Sequence, residues 1–152
     1  MITSTLFAMS WFGEHPGEST VRTKVYYADT DAGGVVYYAN YLRWMEMARA
    51  DWLETSGVSM ADYAEQGVIF TIARVEIDYR APARLGEEVE VTVEPEEIRR
   101  VRFVLHQDVI RVSDGVKLAS ASITVVCLTP QGRVISVPSR LAADISRRIE
   151  AA

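Results

Sequence analysis

The stretch over residues 26–57 constrains the fold most, because it joins an Asp- and Gly-containing turn to a long amphipathic segment. Asp29 and Asp31 stand in the turn, directly after the end of a predicted strand. Gly33 and Gly34 follow them, and glycine lets the backbone adopt conformations that a Cβ atom would forbid. The sequence therefore predicts a tight polar turn with two carboxylates in front of a helix.

From about Tyr38, apolar side chains recur at steps of three and four residues, which is the period of a helix with one buried face. The residues predicted to share this face are Tyr38, Tyr41, Leu42, Met45, Ala48, Trp52 and Leu53. Gly57 follows the last of them, where helices commonly end in a left-handed residue. Because a helix start collects unpaired N–H groups and partial positive charge, it can stabilise a developing oxyanion. A carboxylate beside this start is therefore the first place to look for chemistry.

Alternation of apolar and polar residues predicts five β-strands and one short additional piece. The strands are predicted over residues 21–27, 69–80, 88–93, 101–112 and 117–129, with the short piece at 134–137. In the strand over 69–80, every second residue from Ile69 to Tyr79 is predicted to face the same side. Pro95 cannot donate to a ladder, so we expect a bend or an edge position there.

Two further helices accompany these strands. Ser59 can cap a short helix over residues 60–66, which Gly67 ends. A terminal helix begins at Pro138. Its predicted apolar face consists of Leu141, Ile145 and Ile149.

The order of these elements predicts an α+β fold. It is a strand, the long helix and then four strands that look antiparallel and joined by hairpins. One long helix with an apolar face needs a broad surface to cover it, and a curved antiparallel sheet wrapped around the helix provides one. Exposed strand edges in such a sheet invite a second copy of the chain. We predict one domain over residues 21–152, preceded by a flexible arm over residues 1–20.

Composition excludes several classes of function. At 152 residues the chain can bury a core without a metal or a disulfide, and its net charge of −5 argues against general affinity for nucleic acid or anionic membrane. Cys127 is the single cysteine, which we interpret as core packing, and His15 and His106 have no metal-ligand spacing. We therefore predict no metal site. Without a secretory leader or a membrane-spanning run, we expect a cytoplasmic protein that does not insert into membranes.

Four groups of residues resemble the hotdog-fold acyl-CoA thioesterases. They are YADTDAGGVVY at 27–37, ANYL at 39–42, EMAR at 46–49 and DYRAPARL at 78–85. Within that group, the chain resembles the 4-hydroxybenzoyl-CoA thioesterase family and its Tol-Pal-associated, YbgC-like branch. The resemblance implies a hotdog fold and hydrolysis of an acyl-CoA thioester to a free acid and coenzyme A. It also implies no cofactor apart from the coenzyme A of the substrate, and a homo-oligomer, a dimer that pairs again into a homotetramer.

Carried onto this chain, the resemblance places the catalytic aspartate on Asp31, as nucleophile or as base for a water molecule. The backbone N–H that polarises the thioester carbonyl falls on Tyr38, and a tyrosine of the family motif falls on Tyr27. The YbgC-like branch usually has a histidine at the position of Tyr38, so this chain keeps a backbone donor and lacks any contribution from an imidazole. The residues of the same turn that we assign to substrate binding are Gly33, Gly34 and Val36.

Three residues outside the turn are also assigned to substrate binding. Thr71 would contact the substrate from the neighbouring subunit, although a plain strand threonine is the alternative. Arg99 and Arg100 form the tightest basic cluster together with Arg102. The resemblance implies contact with the nucleotide phosphates of coenzyme A there, and arginine forks suit phosphate. The alternative is a solvated strand end.

Each central candidate also has a structural interpretation. Asp29 and Asp31 both suit a turn, because a carboxylate there accepts backbone N–H bonds, and for Asp29 we favour that role. The three-residue spacing of Glu46 and Arg49 predicts a pair on the helix surface or at a dimer contact. Rival functions are a thioesterase for aromatic acyl-CoA or for acyl carrier protein, and a non-catalytic acyl-CoA-binding protein.

Overall fold

The described part of the chain folds as a five-stranded antiparallel sheet around one long helix. The computed structural model describes residues 19–152. The strands are β1 (Ser19–Lys24), β2 (Ile69–Tyr79), β3 (Glu88–Ile98), β4 (Arg102–Arg111) and β5 (Lys117–Leu128), and the helices are α1 (Tyr38–Glu54), α2 (Met60–Glu65) and α3 (Ser139–Glu150). A short 3-10 turn covers Tyr27–Asp29. The predicted arm over residues 1–20 lies outside the described residues except for Ser19 and Thr20, which belong to β1.

The α+β prediction is confirmed, but the expected run of hairpins is wrong. The strands lie in the order β1-β3-β4-β5-β2, and each neighbouring pair is antiparallel. Only β3, β4 and β5 follow one another as hairpins, whereas β2 pairs with β5 and lies at the sheet edge. Alternation of side chains shows which face a residue takes and not which strand its backbone pairs with, so sequence patterns do not determine this order.

Helix α1 occupies the predicted residues and buries most of the predicted face. Its buried side chains are Tyr41, Trp44, Met45, Ala48, Arg49, Trp52 and Leu53. They belong to a core formed with inward-facing residues of the sheet, among them Val91, Phe103 and Ile123. The prediction is wrong for Tyr38, whose side chain is 61% exposed. Helical periodicity assigns a residue to a face and does not show how far along the helix the sheet extends.

A charged residue lies within this core, against the prediction of a surface pair. Arg49 is buried, and its Nη1 donates to Oε1 of Gln107 on β4 at 2.9 Å. Gln107 is itself fully buried, and its Nε2 donates to the carbonyl oxygen of Met45 at 3.0 Å. Burial lowers the pKa of the Arg49 guanidinium, and the charge of Glu46 opposes that shift. The bond between Arg49 and Gln107 therefore joins α1 to the middle of the sheet.

Strand β3 bends as expected at its proline. The register between β3 and β4 shifts between Pro95 and Glu97, which marks a bulge, and the strand continues to Ile98. Registered pairs with β1 end at Val93. Within the described residues 19–152, Pro95 therefore lies beyond the last pair between β1 and β3, a position in which a residue without an N–H is tolerated.

The two short helices have the predicted ends. The Ser59 side chain accepts the N–H of Asp62 at 3.0 Å, which caps α2, and Gly67 follows that helix with φ of 77°. In α3, Leu141 and Ile145 are buried. Ile149 packs against the core while partly buried. The predicted piece at 134–137 is reduced to a single bridge between Leu128 and Val134.

Strand β2 presents an exposed apolar edge. Ile69, Ile72, Val75 and Tyr79 are all exposed large hydrophobic side chains on this strand. The expected single-sided alternation is broken because a register shift between Ile72 and Arg74 marks a bulge. Since an edge strand carries unpaired backbone groups as well as these side chains, β2 is a surface suited to another strand.

The contact between Arg49 and Gln107 can be tested by removing the acceptor. We expect Gln107→Leu to lower the free energy of unfolding by about 2–4 kcal/mol, because it leaves a buried guanidinium without its bond. Urea unfolding followed by circular dichroism measures this change. Gln131→Leu, the same substitution at an exposed position, is the control and should stay within about 0.5 kcal/mol. Equal stability of the two variants would contradict the assignment.

Candidate active site

The turn that carries Asp31 is a small hairpin leading into α1. Thr30 and Val36 form an isolated antiparallel bridge. Between them, the Asp31 N–H donates to the carbonyl oxygen of Val35 at 2.9 Å, and the Gly34 N–H donates to the carbonyl oxygen of Asp31 at 3.0 Å. Backbone bonds alone therefore hold Asp31 across from the residues that immediately precede the helix.

The two glycines of this hairpin are required by its geometry. The Gly33 N–H donates to Oδ1 of Asp31 at 2.7 Å. A Cβ atom on Gly33 would lie 3.0 Å from that oxygen, and Gly34 has φ of 77°, where L side chains are strained. Asp31 itself is exposed, so its carboxylate is fixed by a turn and remains accessible to a substrate.

Asp29 has the structural role that we favoured. It is buried, and its Oδ2 accepts the N–H of Tyr26 at 2.8 Å. Its carbonyl oxygen accepts both the Tyr37 N–H and the Asn40 side-chain amide, each at 2.9 Å. Asp29 therefore ties the 3-10 turn before the hairpin to the first turn of α1.

The start of α1 has no side-chain cap. Tyr37 is the N-cap residue and makes no capping bond with its side chain. The Tyr37 N–H is bonded to Asp29, and the Tyr37 carbonyl accepts the Asn40 N–H at 2.9 Å, so the N–H groups of Tyr38 and Ala39 are those left to a ligand. The Tyr38 N–H, the predicted oxyanion donor, belongs to this set. The helix dipole adds partial positive charge at the same place.

Aromatic side chains surround this helix start. The ring centroids of Tyr37 and Tyr38 are 4.8 Å apart, and those of Tyr38 and Tyr79 are 6.3 Å apart. Tyr79 also packs edge-on against Tyr41, with centroids 5.5 Å apart. Tyr27, predicted to be catalytic, lies in the 3-10 turn with its side chain 82% exposed. Its ring therefore extends into solvent in the single chain.

Val36 occupies a different place from the one expected of a substrate contact. Its side chain is buried in the core, and its N–H donates to the carbonyl oxygen of Ala83 at 2.9 Å. Ala83 in turn donates its N–H to the Tyr41 hydroxyl at 2.9 Å. Val36 thus anchors the hairpin to the interior, and its assignment to substrate binding stays a prediction.

The remaining predicted substrate contacts lie at the other end of the sheet. Thr71 pairs with Val126, which pairs with Arg102, and the Arg99 N–H donates to the Arg102 carbonyl. Tyr79, which reaches Tyr38, is eight residues farther along β2 than Thr71. At 3.3 Å per residue this is about 26 Å. One chain therefore does not bring Thr71, Arg99 and Arg100 together with Asp31.

The basic cluster at that end is partly neutralised. Arg99 forms an ion pair with Glu97, which also lies 3.9 Å from Arg102. The hydrogen bond from Arg99 lowers the pKa of the Glu97 carboxyl. The carbonyl of Arg100 accepts the Val137 N–H at 2.8 Å, which fixes the backbone of this turn. The Arg100 side chain is exposed to solvent.

Other potentially reactive groups have structural surroundings. Cys127 is fully buried, and burial raises the pKa of its thiol to about 11. His106 Nε2 lies 3.1 Å from Oδ1 of Asp108, which also accepts the Ser120 hydroxyl at 2.6 Å. Within residues 19–152, no group of three or more His, Cys, Asp or Glu residues is arranged to hold a metal ion. None of the helices in this range is long and apolar enough to cross a membrane.

Sequence reasoning assigned no functional role to Tyr79 or Asn40. Both lie inside segments that resemble the thioesterase family, and this resemblance is the signal that could have pointed to them. The bond from Tyr79 to Tyr38 spans 41 residues, a separation that no helix or strand period links. The bond from the Asn40 side chain to Asp29 crosses the hairpin and is likewise invisible to spacing rules.

Comparison with known proteins identifies the family. The model of the family described as the Thioesterase superfamily matches residues 33–117, more than half of the chain. The chain belongs to the Thioesterase superfamily. Its predicted hotdog fold is thereby supported along with the predicted family. The matched residues contain every predicted site residue except Asp31 and Tyr27, which precede them.

Individual relatives agree with this membership. The chain is 36% identical to the acyl-CoA thioester hydrolase YbgC of Escherichia coli over 107 residues, which is 70% of this chain and 79% of that protein. It is 33% identical to the 1,4-dihydroxy-2-naphthoyl-CoA hydrolase of Thermosynechococcus vestitus over 121 residues, 78% of this chain and 82% of that one. The crystal structure of a 1,4-dihydroxy-2-naphthoyl-CoA thioesterase from Synechocystis superposes with a TM-score of 0.78 at 26% identity. That superposition covers 86% of this chain and 96% of the other.

Because Cys127 is buried in the core, we expect its thiol to react slowly with reagents in the folded protein. We expect an aromatic disulfide reagent at pH 8 to label native protein at least about 100-fold more slowly than protein in denaturant. Because the pKa of the folded thiol is raised, the unfolded chain loses this proton first, and stability falls as pH rises above about 9. Urea unfolding from pH 8 to 10 measures that loss, with Cys127→Ala as control. Fast labelling of the native protein would contradict the assignment.

Proposed function

We propose that this protein hydrolyses acyl-CoA thioesters to a free carboxylic acid and coenzyme A. Membership of the Thioesterase superfamily and likeness to proteins named as acyl-CoA thioester hydrolases support this activity. The observation that carries the proposal is the hairpin that holds the exposed Asp31 beside the uncapped start of α1. A carboxylate can act as nucleophile or base in acyl transfer, and free N–H groups at a helix start can stabilise the oxyanion.

In the proposed reaction, the thioester carbonyl lies over the first turn of α1 and its oxygen accepts the Tyr38 N–H. In one route, the Asp31 carboxylate attacks the carbonyl carbon and the carbon–sulfur bond breaks, which leaves an acyl-aspartyl anhydride that water hydrolyses. In the other route, Asp31 takes a proton from water as the water oxygen attacks that carbon, and the tetrahedral intermediate then breaks its carbon–sulfur bond. The departing thiolate takes up the proton that Asp31 holds. Both routes release the coenzyme A thiol and the carboxylic acid. Partial positive charge at the helix start stabilises the oxyanion in either case.

We also propose that the complete site forms between two chains. Pairing β2 with a second β2 about a two-fold axis would cover its exposed apolar edge. In an antiparallel pair centred on Val75, the partner's Thr71 lies opposite Tyr79. This arrangement would bring the far end of the partner sheet, with its basic turn at residues 99–100, towards the hairpin of Asp31. Pairing of two such dimers into a homotetramer stays a prediction.

The basic turn then has a role in recognising coenzyme A. Arg99 and Arg100 of the partner subunit would approach the nucleotide phosphates, for which guanidinium groups are suited. Glu97 competes for Arg99, so Arg100 is the less restrained of the two. The predicted assignment of Thr71 to the neighbouring subunit is consistent with the same geometry.

A second candidate substrate is an aromatic acyl-CoA. The tyrosine rings at residues 37, 38 and 79 are each about half exposed or more and lie beside the helix start where the acyl carbonyl would bind. Such rings favour flat apolar groups through edge and stacking contacts. Two other possibilities must be distinguished from these. The acyl group could be carried on acyl carrier protein instead of coenzyme A, or the protein could bind acyl-CoA without hydrolysing it.

The role of Asp31 predicts the effect of Asp31→Asn. We expect kcat on the preferred acyl-CoA to fall about 100-fold or more, with KM changed far less, because the amide can still accept the Gly33 N–H and cannot act as base or nucleophile. Steady-state hydrolysis of short, medium, long and aromatic acyl-CoAs measures this. Asp51→Asn, the same change at an exposed position of α1, is the control.

The outcomes of this experiment separate the candidates. Unchanged turnover in Asp31→Asn would refute the assignment of Asp31. A wild-type protein that binds acyl-CoA and hydrolyses none of the panel would refute the enzyme in favour of an acyl-carrier substrate or a binding role. Preference for the aromatic members would select the second candidate substrate.

The shared site predicts that a charge on the β2 edge abolishes activity. We expect Val75→Lys to convert the protein to a monomer and to reduce hydrolysis to background, since the two lysine side chains would lie opposite each other in the proposed pair and repel. Sedimentation velocity and activity are measured on the same sample. Val116→Lys is the control, because Val116 is 40% exposed against 39% for Val75 and lies outside β2. A monomer that keeps full activity would contradict the shared site.

A further inference from the structure

Tyr79 is the last residue of β2, and its side chain reaches from the sheet to the backbone of the catalytic helix start. Its hydroxyl donates to the carbonyl oxygen of Tyr38 at 2.9 Å. Its ring packs edge-on against Tyr38 at 6.3 Å and against Tyr41 at 5.5 Å between centroids. These two ring contacts leave the phenol few alternative orientations and aim its hydroxyl at the first turn of α1.

The accepting carbonyl is an unusual partner for a side chain. As a residue of the first helical turn, Tyr38 already offers its carbonyl to the helix ladder, so the bond from Tyr79 is an additional one. The peptide group concerned joins Tyr38 to Ala39. A donor on its oxygen polarises the whole group and makes the Ala39 N–H a stronger donor. That N–H lies in the same uncapped first turn as the Tyr38 N–H.

We infer that Tyr79 is a positioning residue for hydrolysis, which holds and polarises the first turn of α1 through its bond to the Tyr38 carbonyl. The inference rests on the proposed function, because it assigns the oxyanion to that turn. The bond from Asn40 to Asp29 ties this turn to the 3-10 turn before the hairpin, and Tyr79 ties it to the sheet. The donors are thereby fixed before a substrate binds, which is the condition for effective oxyanion stabilisation.

The position of Tyr79 also connects this turn to the proposed interface between chains. β2 is the edge strand, and Tyr79 is one of its exposed apolar residues. A shift of β2 on pairing would therefore move the Tyr79 hydroxyl and, through it, the Tyr38 carbonyl. Burial raises the pKa of the Tyr79 phenol, and the neighbouring phenols of Tyr38 and Tyr41 add to the shift. The hydroxyl consequently stays protonated, and so remains a donor, across neutral and mildly alkaline pH.

The test removes one oxygen atom. Tyr79→Phe keeps both ring contacts and deletes the bond to Tyr38. The matched control is Tyr63→Phe, which deletes a hydroxyl that lies 3.2 Å from the Ser56 hydroxyl beside α2. We expect kcat of Tyr79→Phe to fall about threefold to tenfold with KM within about twofold, which corresponds to one neutral hydrogen bond lost in the transition state. Tyr63→Phe should keep kcat within about twofold of wild type.

A spectroscopic readout tests the contact independently of activity. The carbonyl ¹³C resonance of Tyr38 reports hydrogen bonding to its oxygen, so it should shift in Tyr79→Phe and stay in place in Tyr63→Phe. Sedimentation velocity of both variants shows whether the oligomer is kept. The expected result is a shifted Tyr38 carbonyl, an intact oligomer and a lower kcat for Tyr79→Phe alone.

Every other result decides against the inference. If the wild type is active, the positioning role is overturned by equal kcat values for the two variants or by a change confined to KM. It is also overturned by an unshifted Tyr38 carbonyl resonance, or by a fall in kcat that accompanies loss of the oligomer. A wild type that hydrolyses no thioester refutes the proposed function, and the inference falls with it. The two failures are distinguishable because only the second leaves Asp31→Asn without effect.

Discussion

Burial of one face of α1 against the sheet is the contact on which the rest of this structure depends. Trp52 and Met45 fill the space over the central strands, and the bond from Arg49 to Gln107 fixes the helix above β4. Once the helix is held there, its first turn has a defined place at the sheet margin. The hairpin that carries Asp31 leads into this turn, and the Tyr79 hydroxyl bonds to its backbone. Apolar packing thus sets the position of the polar groups that we assign to chemistry.

Local signals in the sequence predict much of this architecture. The three- and four-residue period predicts α1 to its observed start, and the cap at Ser59 predicts α2, because both depend on neighbours in the chain. Pairing of β2 with β5 was not predictable, since alternation of side chains shows which face each residue takes and does not identify the strand that pairs with it. The burial of Arg49 was missed because a charged residue is ordinarily assigned to the surface, and its partner is 58 residues away.

The candidate site divides in the same way. The turn chemistry of Asp31 and its glycines is local, so the sequence predicts the conformation of that turn. Thr71 and the turn at residues 99–100 entered through family resemblance, and the fold places them at the far end of the sheet. In the pair that we propose, a two-fold axis through β2 would exchange the two ends of the sheet. Residues that lie apart in one chain would then face the hairpin of the other chain.

Thr71 and Tyr79 lie about 26 Å apart along β2, and in the proposed pair this separation has a genetic consequence. Each chain would contribute an aspartate to one site and a basic turn to the other, so a lesion in either half damages a different site of the pair. Two alleles that each inactivate the protein, one in the hairpin and one in the basic turn, would then assemble into mixed dimers with one wild-type site. Such alleles would complement each other, whereas two alleles within the same half would not.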